Sequence, residues 1–160
     1  MRVLNVLLAV FLVGFTLAQT SSAAQAPPIQ TLPPQAIGNL KQVMKAILLP
    51  TSDAIFALQN ELPTNADGWE AVENDAVALA EASNLVTIRG RMCSNRLPVP
   101  VDKPDFIKAA QGLRDAAQVT LKALQSKDQE KIIDAAGVLT EACSNCHDVY
   151  LEAPVSCQVK

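Results

Sequence analysis

Aromatic side chains and histidine are scarce in this 160-residue chain, which has four phenylalanines, one tryptophan, one tyrosine and a single histidine, His147. So few rings exclude a core built on aromatic packing, and the interior has to be filled by Ala, Leu, Val and Ile. Positive charge is not in excess, since the formal net charge is −3, and nothing indicates nucleic-acid binding. No general base beside a nucleophile stands out, so the sequence does not indicate an enzyme.

The N-terminus has the three parts of a secretory signal peptide. Met1-Arg2 is followed by an apolar run over residues 3–18 and then by small residues, and we predict cleavage after Ala24. The alternative is a retained membrane anchor, but the run is short for a full span. The mature chain would then have no stable membrane anchor and would lie in the periplasm, an oxidising compartment. Residues 25–35 are rich in proline and predict an extended leader, and residues 36–160 are predicted to be one domain.

The remaining chain has apolar residues at helical spacing and no sustained alternation that would predict a strand. The first helix is predicted from about Gln35 or Ala36 to before Pro63, with Pro50 as a kink within it. Its apolar stripe comprises Ile37, Leu40, Met44, Ile47, Thr51, Ile55 and Leu58.

The second helix is predicted over residues 66–89, with Thr64 or Asn65 as its cap and Gly90 after its end. A loop over residues 91–101 follows. The apolar stripe of this helix comprises Trp69, Val72, Ala76, Leu79, Ser83 and Val86.

The third helix is predicted to start at residues 102–104, with proline in its first turn. The fourth opens with a capping box at residues 126–129 and ends before Pro154. The stripes of these two helices comprise Phe106, Ala110, Leu113, Ala117, Leu121, Leu124, Ile132, Ala136, Leu139, Cys143, Cys146 and Tyr150. Four amphipathic helices with short connections predict an all-α, antiparallel four-helix bundle.

The pentapeptide Cys143-Ser144-Asn145-Cys146-His147 has the C-x-x-C-H spacing at which c-type haem is attached. Each thiol can add to one haem vinyl group, and the adjacent imidazole can bind the iron as the proximal ligand. Positions i, i+3 and i+4 share one face of a helix, so Cys143, Cys146 and His147 can face one macrocycle. The pattern predicts one covalent haem c on the last helix.

Three other uses of two neighbouring cysteines stay open. A thioredoxin-like redox pair needs a βαβ context, and none is visible. A closed zinc site needs four ligands, and the only other cysteines are Cys93 and Cys157. A plain disulfide framework in an exported protein is the third alternative.

Met44 is the candidate for the second axial ligand of the iron. In an antiparallel bundle the start of the first helix and the end of the fourth lie at the same end, so Met44 and His147 are at similar heights. A thioether can bind haem iron opposite histidine. The alternative is a methionine that only packs in the core, and Met92 in the loop is a second ligand candidate.

The same end of the predicted bundle carries basic residues and two further cysteines. Cys93 and Cys157 both fall there, and we expect a disulfide between them because the other cysteines would be bonded to haem; the alternative is two free thiols. The basic residues can pair with haem propionates or be solvated surface charges. They are Lys41, Arg89, Arg91 and Arg96.

Residues 36–152 resemble the cytochrome c′ family, in which a C-terminal C-x-x-C-H lies on the last helix of an exported four-helix bundle. The segment over residues 142–150 carries most of this resemblance. The tetrapeptide Val43-Met44-Lys45-Ala46 is similar to that of members in which methionine faces the haem. The resemblance also implies a homodimer packed through the first two helices. Pro50 and the loop at 91–101 depart from the family pattern, as does the extra cysteine pair.

The resemblance implies two types of function. Low-spin members with a methionine ligand transfer electrons, and Met44 favours this type, with His147 and Met44 as axial ligands and redox proteins as partners. High-spin members leave the distal position open and bind small gases such as NO or CO, which is the alternative. A haem-free helical protein held by disulfides is the third hypothesis. After cleavage the mature chain is mildly acidic, which would suit a basic redox partner.

Overall fold

Four helices make up most of the computed structural model, which describes residues 32–152 and 155–157. The predicted signal peptide with its cleavage after Ala24 and most of the leader lie outside the described residues, as does Pro154. Residues 32–39 precede the first helix without regular structure, so the irregular segment extends past residue 35, where the leader was predicted to end. Within the described part, no helix combines the length and the apolar character needed to cross a bilayer.

The first helix spans residues 40–57 and begins later than the sequence predicted. Asn39 and Gln42 form a capping box, in which each side chain accepts from the other residue's backbone N–H at 2.9 Å. Such a reciprocal pair satisfies two donors at a helix start. Ile37 therefore lies outside the helix and is 91 % exposed, so its predicted place on the buried stripe is wrong.

The interruption predicted at Pro50 takes the form of a π-helical turn. The α, π and α segments of the first helix are Leu40–Val43, Met44–Leu48 and Leu49–Ala57. The Leu49 N–H donates to the Met44 carbonyl, and Pro50, which has no N–H to continue the ladder, follows directly. Because a π-turn contains more residues than an α-turn, the buried face shifts along the chain. Leu48, at the end of this turn, is buried as a result, although the predicted stripe did not include it. Val43, three residues after Leu40, is buried before the turn begins.

The second helix, Ala66–Val86, is capped by Asn65, whose side chain accepts from the Gly68 N–H at 2.8 Å. Of the two predicted caps, the Asn65 alternative is confirmed. The predicted stripe is confirmed as well, since its members are buried or, for Trp69, partly buried against the core.

This helix ends at Val86 and not at the predicted Arg89, because side chains take its last carbonyls. The Thr87 hydroxyl donates to the Asn84 carbonyl at 3.0 Å, and Arg91 Nε donates to the Leu85 carbonyl at 2.9 Å. Carbonyls in the last turn of a helix have no intrahelical partner and need such donors.

The third helix, Pro104–Ser126, begins with proline as predicted, and the fourth is Gln129–Tyr150. The capping box predicted at residues 126–129 for the fourth helix is wrong, because Ser126 still belongs to the third helix. Asp128 is the cap, and its carboxylate accepts from the N–H groups of Glu130 and Lys131 at 3.1 and 3.3 Å.

The four helices pack against one another, as the sequence predicted. The first packs on the second, the second on the third and the third on the fourth. Small residues fill much of the interior, as expected for a chain with few aromatics, and they let helix backbones approach closely. The alanines with at most 3 % exposure are Ala76, Ala82, Ala116, Ala117, Ala135 and Ala136. After the fourth helix, Leu151–Glu152 pairs antiparallel with Val155–Ser156.

Candidate cofactor-binding site

The C-x-x-C-H motif lies in the C-terminal half of the fourth helix, as predicted. The stripe that buries Ile132 and Leu139 continues to Cys143 and Cys146, which are partly buried and pack against the core. Both thiols are free. His147 is exposed, one residue beyond the second cysteine. The helix therefore presents two thiols and one imidazole along one edge of the core.

All three side chains of the motif line an apolar cavity of about 30 Å³. Each of the four helices contributes to this cavity, at the end of the molecule where the second and fourth helices finish and the third begins. The other lining residues are Leu48, Val86, Phe106, Ala109, Ala110, Leu113 and Ala142. Cys143, Cys146 and His147 are thus brought together as the spacing predicted, and the surrounding walls are almost wholly apolar.

Burial controls the protonation of the two thiols. It raises the pKa of Cys143 above its ordinary value, and burial together with the neighbouring Cys143 raises the pKa of Cys146 from 9.0 to about 11. Reactive and metal-binding cysteines work as thiolates and have lowered pKa values. The environment of this pair keeps both thiols protonated at neutral pH, which is the opposite of a thioredoxin-like site.

These pKa values predict slow reaction of Cys146 with iodoacetamide in folded protein produced without haem. A shift from 9.0 to about 11 lowers the thiolate fraction at pH 8 on the order of a hundredfold. The alkylation rate should therefore rise as the pH approaches 11. The matched control is the same protein in denaturant, and equal rates in the two states at pH 8 would contradict the buried placement.

Leu48, and not Met44, is the residue of the first helix that lines the cavity. Met44 begins the π-helical turn that Leu48 ends, and it is partly buried against the core. Met44 lies in the second turn of its helix and His147 lies in the last turn of its own, and the similarity in height between them stays a prediction. The signal for Leu48 was its apolar run with Ile47 and Leu49, which does not show which of the three faces inward.

The four basic residues predicted as possible propionate contacts differ in their burial. Arg91 is buried, and its guanidinium donates to the carbonyls of Leu85 and Gly38, so it ties the second helix to the segment before the first. Burial also lowers the pKa of Arg91. Arg89, Arg96 and Lys41 are exposed. Met92, the second ligand candidate, is 41 % exposed.

The expected disulfide between Cys93 and Cys157 is confirmed, with a Cα–Cα distance of 6.0 Å. It joins the loop after the second helix to the segment after the fourth. The Cys157 N–H also donates to the Tyr150 carbonyl at 2.6 Å, and the Tyr150 ring meets Phe106 edge to face at 5.1 Å between centroids. This end of the bundle is therefore closed covalently beside the cavity.

Replacing Cys93 and Cys157 with serine should lower the free energy of unfolding substantially. The two cysteines are 64 residues apart, and the chain-entropy model gives on the order of 4 kcal/mol for a loop of that length. Denaturant unfolding of the variant against the parent measures the loss. A change below about 1 kcal/mol would contradict a disulfide that closes this end of the fold.

The residues at the cavity fit a haem in their chemistry. Two protonated thiols and an imidazole border an apolar space, as covalent attachment and axial ligation require. The space itself holds little more than a water-sized group, so a macrocycle requires the walls to separate. Among the described residues, no group of three or more His, Cys, Asp or Glu side chains is placed to hold a bare metal ion.

Comparison with known proteins gives no relative. No family model matches the chain, and no curated protein and no solved structure matches it. The resemblance to the cytochrome c′ family therefore depends on the residues of the motif and of the first helix alone.

Proposed function

We propose that the protein is an exported, single-haem c-type cytochrome that carries electrons on a cytochrome c′-like four-helix bundle. One observation carries the proposal: two free thiols at i and i+3 and the only histidine of the chain line one apolar cavity shared by all four helices. A spacing match alone can arise by chance. Here the three side chains also border one apolar space, which haem attachment requires and which the spacing alone does not ensure.

Each residue of the motif has a definite task in this proposal. Cys143 and Cys146 would hold the haem through two thioethers, each formed by addition of a thiol across one vinyl group with nothing released. His147 would supply an imidazole nitrogen to the iron. Haem held there would supply one-electron chemistry. The apolar walls would exclude water and tune its reduction potential.

Met44 is proposed as the second axial ligand, which would close the iron to exogenous ligands. Its place in the π-helical turn supports this role, because π-turns are frequent at functional sites. The cavity of about 30 Å³ has to open for a macrocycle, and the first helix is the wall that holds both Met44 and Leu48. The exposed Arg89 and the buried Arg91 stay candidates for contact with the propionates.

One observation favours a second function, the binding of small gases. Leu48 lines the cavity in the place where the methionine was expected. An apolar residue over the sixth position would leave the iron five-coordinate, with His147 as its only axial ligand. In that case Met44 packs in the core, and NO or CO is the natural ligand.

The setting of the proposed carrier follows from the sequence expectations. The protein would be exported to the periplasm by its signal peptide and would exchange electrons with redox proteins. The resemblance to the cytochrome c′ family adds a homodimer through the first two helices. No enzymatic activity is proposed.

Potentiometric titration of the purified protein tests the electron-carrier function. We expect a single reversible one-electron transition with a low-spin spectrum in both oxidation states, because both axial ligands stay bound. A reduced protein that is high-spin and binds CO stoichiometrically would contradict the carrier and leave the gas-binding function. A protein with no absorbance from haem would contradict both.

A further inference from the structure

The loop after the second helix is held firmly although it has little regular structure. Met92 and Pro98 form an antiparallel bridge, and the Met92 carbonyl accepts from the first N–H of the first helix, that of Leu40, at 2.8 Å. The disulfide fixes Cys93 from the other side. A loop fixed to the first helix and to the segment after the fourth can present side chains with little ordering cost on binding.

The side chains that this loop presents to solvent include two large apolar and two basic ones. Met92 is 41 % exposed and Leu97 is 48 % exposed, although they flank a buried cysteine. Arg96 lies between them and has a left-handed backbone, φ 67°, which glycine adopts with less strain. Methionine and arginine are enriched in protein interfaces. With the exposed Lys41 and Arg89, these residues form what we call the docking face: Lys41, Arg89, Met92, Arg96 and Leu97.

The loop after the second helix is locally basic. Residues 87–101 contain three arginines, of which Arg91 is buried, and no acidic residue. The chain as a whole is acidic, so its net charge hides a basic loop. At physiological ionic strength charges interact over only about 8 Å, so a partner at the docking face would meet the local positive charge.

We propose that the docking face binds an acidic partner protein beside the C-x-x-C-H site. It lies next to that site, because the disulfide and the Cys157–Tyr150 hydrogen bond tie the loop to the end of the fourth helix. The proposal rests on the proposed function in one respect, namely that this partner exchanges electrons with the protein. It reverses the expectation from net charge, which favoured a basic partner.

The structure favours a protein over an anionic membrane as the partner. Membrane recognition by charge needs a cluster of about four to eight cations, and the docking face has three exposed cations around two apolar side chains. Few charges around an apolar centre are typical of a protein interface with a polar rim.

Binding to immobilised poly-glutamate at pH 7 and low salt tests the docking face without any need for haem. We expect retention of the protein despite its pI of about 5.1. Arg89→Gln with Arg96→Gln should weaken binding about fivefold, since exposed charge pairs each contribute modestly. Lys122→Gln with Lys131→Gln removes the same charge at the other end and is the matched control. Equal effects of the two pairs, or no retention of the parent, would overturn the proposal.

Two further experiments test the apolar residues of the docking face and the membrane alternative. Met92→Ser with Leu97→Ser should weaken binding to an acidic peptide that contains leucine and should leave binding to poly-glutamate unchanged. If phosphatidylglycerol vesicles bind the protein and poly-glutamate and the peptide do not, the partner is a membrane and the proposal is wrong.

Electron exchange with charged probes tests the link to function. One electron passes from the reduced protein to ferricyanide, giving ferrocyanide, and we expect this rate to fall as salt is added. The rate with the cationic oxidant tris(phenanthroline)cobalt(III) should rise with salt, and the Arg89→Gln, Arg96→Gln pair should flatten both trends. Opposite trends would overturn docking beside the redox site. A protein without haem would fail this assay alone, whereas the poly-glutamate result would still decide the docking face.

Discussion

Met44→Ala should convert the reduced protein from a six-coordinate low-spin form to a high-spin form that binds carbon monoxide readily. The substitution removes the thioether proposed to occupy the sixth position. Cys143, Cys146 and His147 keep holding the haem from the fourth helix. Visible spectra of the oxidised and reduced protein, with and without CO, measure the conversion.

Two further variants make this result specific to Met44. Leu48→Ala enlarges the cavity beside the motif from the same helix without removing a ligand, so it should leave the spectrum low-spin. Met92→Ala should have no effect if Met44 is the ligand. A wild type that is already high-spin, with Met44→Ala unchanged, would favour the gas-binding function. Conversion by Met92→Ala would mean that the loop supplies the ligand.

Replacing Cys143 and Cys146 with alanine should remove all covalently bound haem. No thioether can form, and His147 alone would leave any haem exchangeable. The variant should also be less stable than the holoprotein, because a group that binds only the folded state stabilises it. The loss of two partly buried sulfur atoms should lower the free energy of unfolding by a further 1 kcal/mol each, roughly.

The matched control is wild-type protein produced without haem. Denaturant unfolding of this apoprotein and of the variant should differ only by the cost of the sulfur atoms, whereas both should unfold before the holoprotein. Haem that stays bound to the double variant through denaturing electrophoresis would contradict attachment at the motif.

The buried faces of the helices could be predicted where one regular spacing of apolar residues runs through the whole helix. The second, third and fourth helices bury the residues that spacing of three and four indicates, and the motif lies on the core side of the last one. The disulfide could also be predicted, because antiparallel topology brings Cys93 and Cys157 to the same end. These features depend on periodicity and connectivity, which a sequence displays directly.

Other features depend on competition between local interactions. The first helix starts at Leu40 because Asn39 and Gln42 cap each other, a signal that the sequence contained and that the apolar spacing of Ile37 masked. The π-helical turn moves Leu48 into the cavity, and no regular period can anticipate an added residue. The burial of Arg91 depends on two backbone carbonyls, and that of Gly38 is distant in sequence.

The intact mass of the protein, purified from an exporting host with haem-attachment machinery, tests the central claim most directly. We predict the mass of the polypeptide after cleavage at Ala24 plus one haem. After proteolysis, the haem should stay on the peptide that contains Cys143 and Cys146. A mass that corresponds to polypeptide alone would contradict covalent attachment, and with it both the electron-carrier and the gas-binding functions.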